Sequence, residues 1–427
     1  MGKFRAAQRW LEERFKLRSL VDFFNAKTVP VHRHTAWYYL GNVLITFFFI
    51  QVITGFALLF YYRATPEAAY ESVRSIILEV PFGWLIRSVH SWSANLMVAA
   101  AGAHLFSTFF LRAYRKPREL TWITGALMFF AVLGIGFSGY LLPWNELSYF
   151  ATKVGTGIAG QTPLIGGVLK AFLRGGENVG AGTLTRFFAL HVVILPMVLV
   201  VMAAVHLFFI QVQGMSVPEP LEDKKDGLES IKFFPDFILR DAALACIQIA
   251  IVVALAVLFP WELGKKADTM LPTPEGIRPE WFFLFMFKTL ELIPSKIGPL
   301  EGEKLGIIFF IAAFSSVLLI PFLDRCSGGR LRKSVFKWGG IIALCYIFIM
   351  TLWAVLPSVP IIHGKIDESG TEELQRALAH RYIPELVIFI VLAAALALGL
   401  KAKSDDLRKL RKEKFFRKPD EPSKEGS

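Results

Sequence analysis

Long apolar blocks alternate with short charged ones along most of the chain. Eight blocks, at about 38–62, 89–111, 120–142, 184–211, 239–260, 303–323, 336–357 and 383–401, each approach the roughly 20 residues that a helix needs to cross a bilayer. In lipid a backbone must satisfy its own hydrogen bonds, which makes each block a helix. The pattern predicts an all-α integral membrane protein with about eight transmembrane helices. The polar intervals divide it into a surface segment 1–37, a first group of spans at 38–212, a linker 213–238, a second group at 239–401 and a tail 402–427. Pro218, Pro220 and a mixed-charge run mark the linker.

Four histidines stand inside the first group: His90 and His104, then His191 and His206. An ionisable residue at membrane depth is by default a functional-site hypothesis. His90 and His104 are 14 residues apart, about 21 Å of helix rise and just under four turns, so both imidazoles point to one side. His191 and His206 are 15 apart, with Pro196 between them. A proline kink is expected to take up the extra residue. Packed or hydrogen-bonded histidines are the plain alternative, but two pairs at matched spacing favour a shared role. Two such helices can clamp two flat cofactors, one near each membrane face, and a haem iron with two axial imidazoles fits that geometry.

The glycines repeat the interval. Gly41 and Gly55 in the first span are 14 apart, as are Gly125 and Gly139 in the third. Glycine lets a bulky neighbour approach a helix backbone, so each pair would admit two stacked rings. Small-residue helix packing is the competing explanation. The first four spans are therefore read as an N-terminal four-helix di-haem bundle. The later spans lack histidine and are not expected to ligate haem. Arg87 and Arg186 begin spans just before His90 and His191, where guanidinium forks could hold haem propionates or simply sit at the interface.

Charge adds orientation. The net charge is +12. With an inner N-terminus and eight spans, the inner segments hold about two-thirds of the Lys and Arg residues, which places both termini in the cytoplasm. This balance needs no nucleic-acid partner. Residues 3–24, with Phe4, Trp10, Leu11 and Leu17 among basic residues, read as an amphipathic helix on the inner surface. No basic-then-apolar opening with a small-residue cleavage site is visible, so targeting should rest on the first span. Cys246, Cys326 and Cys345 form no CxxC or CxxCH motif, which leaves disulfide, iron–sulfur and c-type haem attachment without support. Loop 143–183 is long enough to hide short helices, one expected at 163–174. The outer loop 261–302 carries Pro279-Glu280-Trp281-Phe282. A carboxyl partly buried beside aromatics has a raised pKa and exchanges protons near neutrality.

With these residues in view, the chain resembles cytochrome b of the quinol–cytochrome c reductase family. The histidine pairs, the glycine pairs, Gly139-Tyr140-Leu141-Leu142-Pro143-Trp144 and Pro279-Glu280-Trp281-Phe282 carry the likeness, over most of 25–400. Gly83-Trp84-Leu85-Ile86-Arg87-Ser88-Val89-His90 and the run 116–122 resemble the photosynthetic, plastoquinol branch. The resemblance implies that His90 and His191 ligate an outer haem b, and His104 and His206 an inner one. Tyr140, Pro143, Pro279, Glu280, Trp281 and Phe282 would line an outer quinol site, with Glu280 as the base. One electron would leave to an iron–sulfur protein and a c-type cytochrome, the other to an inner quinone site, in a Q cycle. A homodimeric complex in a bacterial-type inner membrane is implied. Three departures stand out. Phe282 lacks the tyrosine hydroxyl usual in the motif. Tyr39 replaces the cysteine that attaches an extra inner-face haem in the photosynthetic branch, leaving such a haem only a non-covalent place. Gln211 stands where that branch has arginine. The photosynthetic proteins also divide the two halves between chains and have seven spans.

Two other classes compete. A di-haem anchor of a quinone-linked dehydrogenase explains the histidines but leaves the Pro-Glu-Trp loop unused. A transporter explains the spans alone, and predicts no haem bands. For topology, a reporter fused after residue 401 is expected in the cytoplasm. An external reporter signal would remove one span or reverse the orientation.

Overall fold

The computed structural model describes residues 2–355 apart from 17, 18, 20, 21, 23, 24, 33, 219, 220, 222–227, 275, 276 and 325–329. The predicted span 383–401 and the tail 402–427 lie outside the described residues. Ends of the bundle are called inner and outer by the charge-based orientation above.

Seven described helices are long and apolar enough to cross a membrane. The first group comprises α2 (Tyr39–Leu59), α4 (Gly83–Phe110), α5 (Glu119–Leu141) and a composite helix, with the short α3 (Ala69–Leu78) between α2 and α4. That composite joins α8 (Ala181–Ala189), a π turn (Leu190–Ile194) and α9 (Leu195–Gln213). The second group comprises α10 (Ile238–Leu258), α12 (Gly302–Leu323) and α13 (Arg330–Val355). The lengths follow the apolar blocks closely. Phe49, Ile53, Phe56, Met197 and Val201 remain exposed on the outer surface, as contact with lipid requires. Phe47, Trp92, Leu96, Val132, Leu199 and Val252 are buried together between the two groups.

The structure corrects two expectations. The N-terminal helix α1 spans Gly2–Phe15, so the single helix expected over 3–24 is interrupted there, and Ser19, Asp22 and Asn25 are helical again beyond the break. Lys16 takes a φ of +48°, a left-handed conformation that ends a right-handed helix. The extra residue between His191 and His206 is absorbed by the π turn rather than by a kink at Pro196. Pro196 has no N–H to donate into the preceding turn. An i→i+5 turn just before it takes in one residue while the helix continues.

Loop 143–183 folds into α6 (Glu146–Gly160) and α7 (Gly166–Arg174). Asn145 caps α6 by accepting the Ser148 N–H at 2.8 Å, which satisfies an otherwise orphaned donor. Arg174 donates to Thr156 Oγ1, the Lys153 carbonyl and the Glu177 carbonyl at 2.8–2.9 Å. Leu141, Trp144, Phe150, Leu184 and Phe187 are buried beneath this cap. The 261–302 loop contains α11 (Leu284–Leu292) and a small hairpin of β3 (Lys296–Ile297) and β4 (Leu300–Glu301).

Two seams join the halves. At the outer end, Trp92 Nε1 donates to the Phe259 carbonyl at 2.8 Å, and Tyr70 OH to Gly264 at 2.8 Å. Asn145 Nδ2 donates to Leu263 at 2.7 Å. At the inner end, β1 (Thr28–Pro30) pairs antiparallel with β2 (Ser230–Lys232). Arg112 and Tyr114, just past α4, converge on one oxygen of Asp324 at 2.5 and 2.6 Å. The Asp324 side chain is 1% exposed. Burial, and then the carboxylate beside it, pushes the Tyr114 hydroxyl up from its ordinary pKa, so it stays protonated and donates. Removing one partner of a buried ion pair leaves the other charge uncompensated. Asp324→Ala is therefore expected to destabilise the protein by about 3–5 kcal/mol, and Asp324→Asn, which can still accept from Tyr114, by less. Reversible unfolding in detergent measures both.

Candidate functional site

The four sequence-marked histidines lie on α4 and on the composite helix, and the glycines on α2 and α5. A methyl group built on Gly55 would lie 3.3 Å from His90 Cε1, on Gly125 3.1 Å from His206 Cε1, and on Gly139 2.4 Å from His191 Cε1. Three imidazoles thus press against three glycines. Gly41 has nothing within 4 Å of such a methyl.

His90 and His191 face each other with ring centres 6.3 Å apart and planes 76° apart. His104 and His206 are near enough to interact electrostatically. His90 Nδ1 is 2.8 Å from Thr54 Oγ1, whose own hydrogen goes to the Ile50 carbonyl at 2.6 Å. The ring is therefore the donor, which fixes the proton on Nδ1 and leaves Nε2 with a free lone pair. His191 Nδ1 donates in the same way to the Ile135 carbonyl at 3.0 Å. Gln51 Nε2 bonds the His90 carbonyl at 2.7 Å and Ser93 Oγ at 2.5 Å, which ties α2 to α4 at this level.

Arg87 is buried, and its guanidinium donates to the backbone carbonyls of Trp261 and Glu262. In this geometry it fastens the second half to the His90 helix. Arg186 donates to the Gly182 carbonyl at 3.2 Å and lies over Gly175. A Cβ on Gly175 would fall 1.5 Å from Arg186 Nη1, and its φ is +66°, so both space and backbone demand glycine there.

The Pro279–Phe282 motif enters a short 3₁₀ turn at Trp281–Phe283, with Glu280 at its N-terminal boundary. Trp281 Nε1 donates to Asn95 Oδ1 at 2.8 Å, and Asn95 Nδ2 to the Ser91 carbonyl at 3.0 Å. Phe282 packs over Gly136 of α5, where a methyl would be 3.0 Å from its ring tip. Tyr62 OH donates to the Leu142 carbonyl at 2.8 Å, bracing the Tyr140–Pro143 turn. Glu291, eleven residues on and a second acid of this loop, is paired with Lys288 Nζ at 3.0 Å. Sequence reasoning missed Asn95, Gly136, Thr54 and Thr124. Only the threonines left a signal, each standing directly before a marked glycine. Asp241, also missed, has a buried Oδ1 without a hydrogen-bond partner among the described residues.

Fold and site define a class: multi-pass helical membrane proteins whose paired imidazoles press on glycine-bearing helices. Residues 25–214 match the family described as cytochrome b/b6/petB, and 266–365 match cytochrome b (C-terminal)/b6/petD. The chain is 44% identical over 345 residues to a cytochrome bc complex cytochrome b subunit from Chlorobaculum thiosulfatiphilum, covering 80% of this chain and 79% of that one. It is also 44% identical over 209 residues to cytochrome b6 of Auxenochlorella protothecoides, covering 49% of this chain and 97% of that one. Among solved structures, a hyperthermophilic respiratory Complex III chain aligns with a TM-score of 0.70 at 28% identity, over 91% of this chain and 98% of that one. The chain belongs to the cytochrome b/b6 family. As such it is a haem b-binding, multi-pass membrane subunit of a bc-type complex.

The residues fit that cofactor. Two imidazoles on one metal, each bonded at about 2.0 Å, have ring centres roughly 6 Å apart, close to the spacing of His90 and His191. Gly139→Ala should push His191 out of line and remove one haem, because the added methyl meets the ring below van der Waals contact. A pyridine haemochrome assay of haem per protein, against Gly136→Ala as a comparison away from the histidines, measures this loss.

Proposed function

We propose that His90 with His191, and His104 with His206, hold two b haems near the outer and inner faces, and that Glu280 accepts a proton from quinol at the outer face. The protein is a quinol-oxidising, electron-transferring subunit of the cytochrome bc type. The observation that carries the two-haem reading is the opposed pair His90–His191, set against glycines that recur at the histidine interval. When bound, a b haem supplies a one-electron iron couple, and two at different depths give an electron a path across the bilayer.

The chain's own residues do the rest. Trp281, held by Asn95, and Phe282, seated on Gly136, fix the backbone next to Glu280. Pro279 narrows the conformations open to it. Quinol must shed two protons as its electrons leave, and a carboxylate at this point can accept one. Phe282 has no hydroxyl and relays nothing. Asp241, half-buried on the inner half of α10 with Oδ1 enclosed, is the candidate acid for an inner quinone site; its backbone carbonyl accepts from Asn42 Nδ2 of α2 at 3.0 Å. Tyr39 has no thiol to attach a haem, so any additional inner haem is non-covalent; its ring stacks on Phe237 at 4.8 Å. An iron–sulfur protein and a c-type cytochrome take the first electron, within a homodimeric complex. The location is a bacterial-type cytoplasmic membrane with both termini inside.

Glu280→Gln keeps size and shape but cannot ionise. It should slow quinol–cytochrome c reduction about tenfold or more, within the usual range for a lost general base, with haem content unchanged. Normal turnover there and loss in Glu291→Gln would move the role to Glu291. His206→Ala should remove one b haem and leave the other. Two haems with unchanged spectra in that variant would refute the ligand pairing.

A further inference from the structure

The histidines differ in what holds their second nitrogen. α2 and α4 run antiparallel with Gly55 against His90. Moving 14 residues back along α2 and 14 forward along α4 places Gly41 at the level of His104. Three of the four imidazoles have an acceptor at Nδ1. His90 has Thr54 Oγ1 and His191 has the Ile135 carbonyl. His206 Nδ1 is 3.0 Å from Thr124 Oγ1, whose hydrogen goes to the Leu120 and Thr121 carbonyls at 2.9 and 3.0 Å. The Thr121 backbone also bonds that ring. His104 Nδ1 is buried and has no hydrogen-bond partner among the described residues. The two threonines occupy one equivalent position, each directly before the glycine that faces its histidine. Before Gly41 stands Leu40, which offers no acceptor.

We propose that Thr54, Thr124 and Leu40 form one set of tuning positions: the threonines lower the potential of the haem they serve, and Leu40 leaves the inner haem higher than a fully anchored pair would. The inference rests on the bis-histidine reading. An imidazole that donates Nδ1–H to oxygen becomes a more basic ligand through Nε2. A more basic ligand pair stabilises ferric over ferrous iron and lowers the potential, and hydrogen bonding at the ligands is one of the levers a protein has. The outer pair has both imidazoles anchored, the inner pair one of two. Thr54, Thr124 and Leu40 are positioning residues, since they act on the imidazoles and not on the iron.

The test is a potentiometric titration of both b haems in the intact complex, followed by their α-band absorbance, with haem content measured on the same samples. The signal lost in His206→Ala identifies the inner haem. Thr54→Val is expected to raise the outer midpoint and leave the inner one, and Thr54→Ser, which keeps the acceptor, to restore the wild-type value. Thr124→Val should raise the inner midpoint by less than Thr54→Val raises the outer one, because the Thr121 backbone remains beside the His206 ring. Leu40→Thr supplies the missing hydroxyl, removes no hydrogen bond, and should lower the inner midpoint. Unshifted midpoints in Thr54→Val with both haems present overturn the proposal. If Thr54→Val does not assemble, Leu40→Thr decides, and an unshifted inner midpoint there overturns it. A wild-type complex without bis-histidine haem spectra would instead sink the ligand reading beneath it.

Discussion

A ring can press flat against a helix only where no side chain stands between them, so the spacing of bare backbone on one helix must match the spacing of rings on its neighbour. Much of the first half answers to that constraint. On α2 and α4 the interval is 14 residues in both; Gly55 meets His90, while Gly41 has no atom within 4 Å of an added methyl. On α5 the glycines are 14 apart while the histidines facing them are 15 apart. The surplus would turn His206 by about 100° on a regular helix, away from Gly125. The π turn at Leu190–Ile194 removes that error within a few residues of its source. Proline and π turn act together here, since a residue without an N–H makes the wider turn the cheaper one locally.

The outer quinol loop inherits its position from the same helices. Trp281 hangs on Asn95, five residues past His90, and Phe282 lies on Gly136, three residues before Gly139. Glu280 is thus braced from both sides by helices that also carry the histidines and glycines. Asn95 is polar and buried in an apolar span, a placement that is unfavourable unless both ends of its amide are bonded, as they are.

The helices were legible because lipid imposes a long apolar run on each, and the ends of those runs fall close to the observed ones. The histidine and glycine intervals were legible because helical periodicity converts spacing into direction. Other features were not. The caps α6 and α7 were only half visible: α7 was expected, but α6 mixes polar and apolar residues too evenly to stand out. The partners of Arg87 were not legible, since they are backbone carbonyls, which leave no residue-type signal. Asn95 and Gly136 contact residues more than a hundred positions away, and no local pattern marks them. The absorbing turn before Pro196 was anticipated as a kink, because proline announces a disturbance without saying what form it takes.

The two seams have one more consequence. The halves meet through side chains and backbone at both ends, through Trp92 with Phe259, Tyr70 with Gly264, and Arg112 and Tyr114 with Asp324. The cytochrome b6 relative matches 49% of this chain at 97% of its own length. Seen this way, the seam is an interface between two polypeptides that happen to be covalently joined. The peptide 214–238 then acts as a tether that raises the effective concentration of one half for the other. Inside a membrane, where both halves are confined to two dimensions and already oriented, that advantage shrinks. Gene fission at this linker would leave the architecture intact, and the contacts at the two seams would decide whether the pieces find each other.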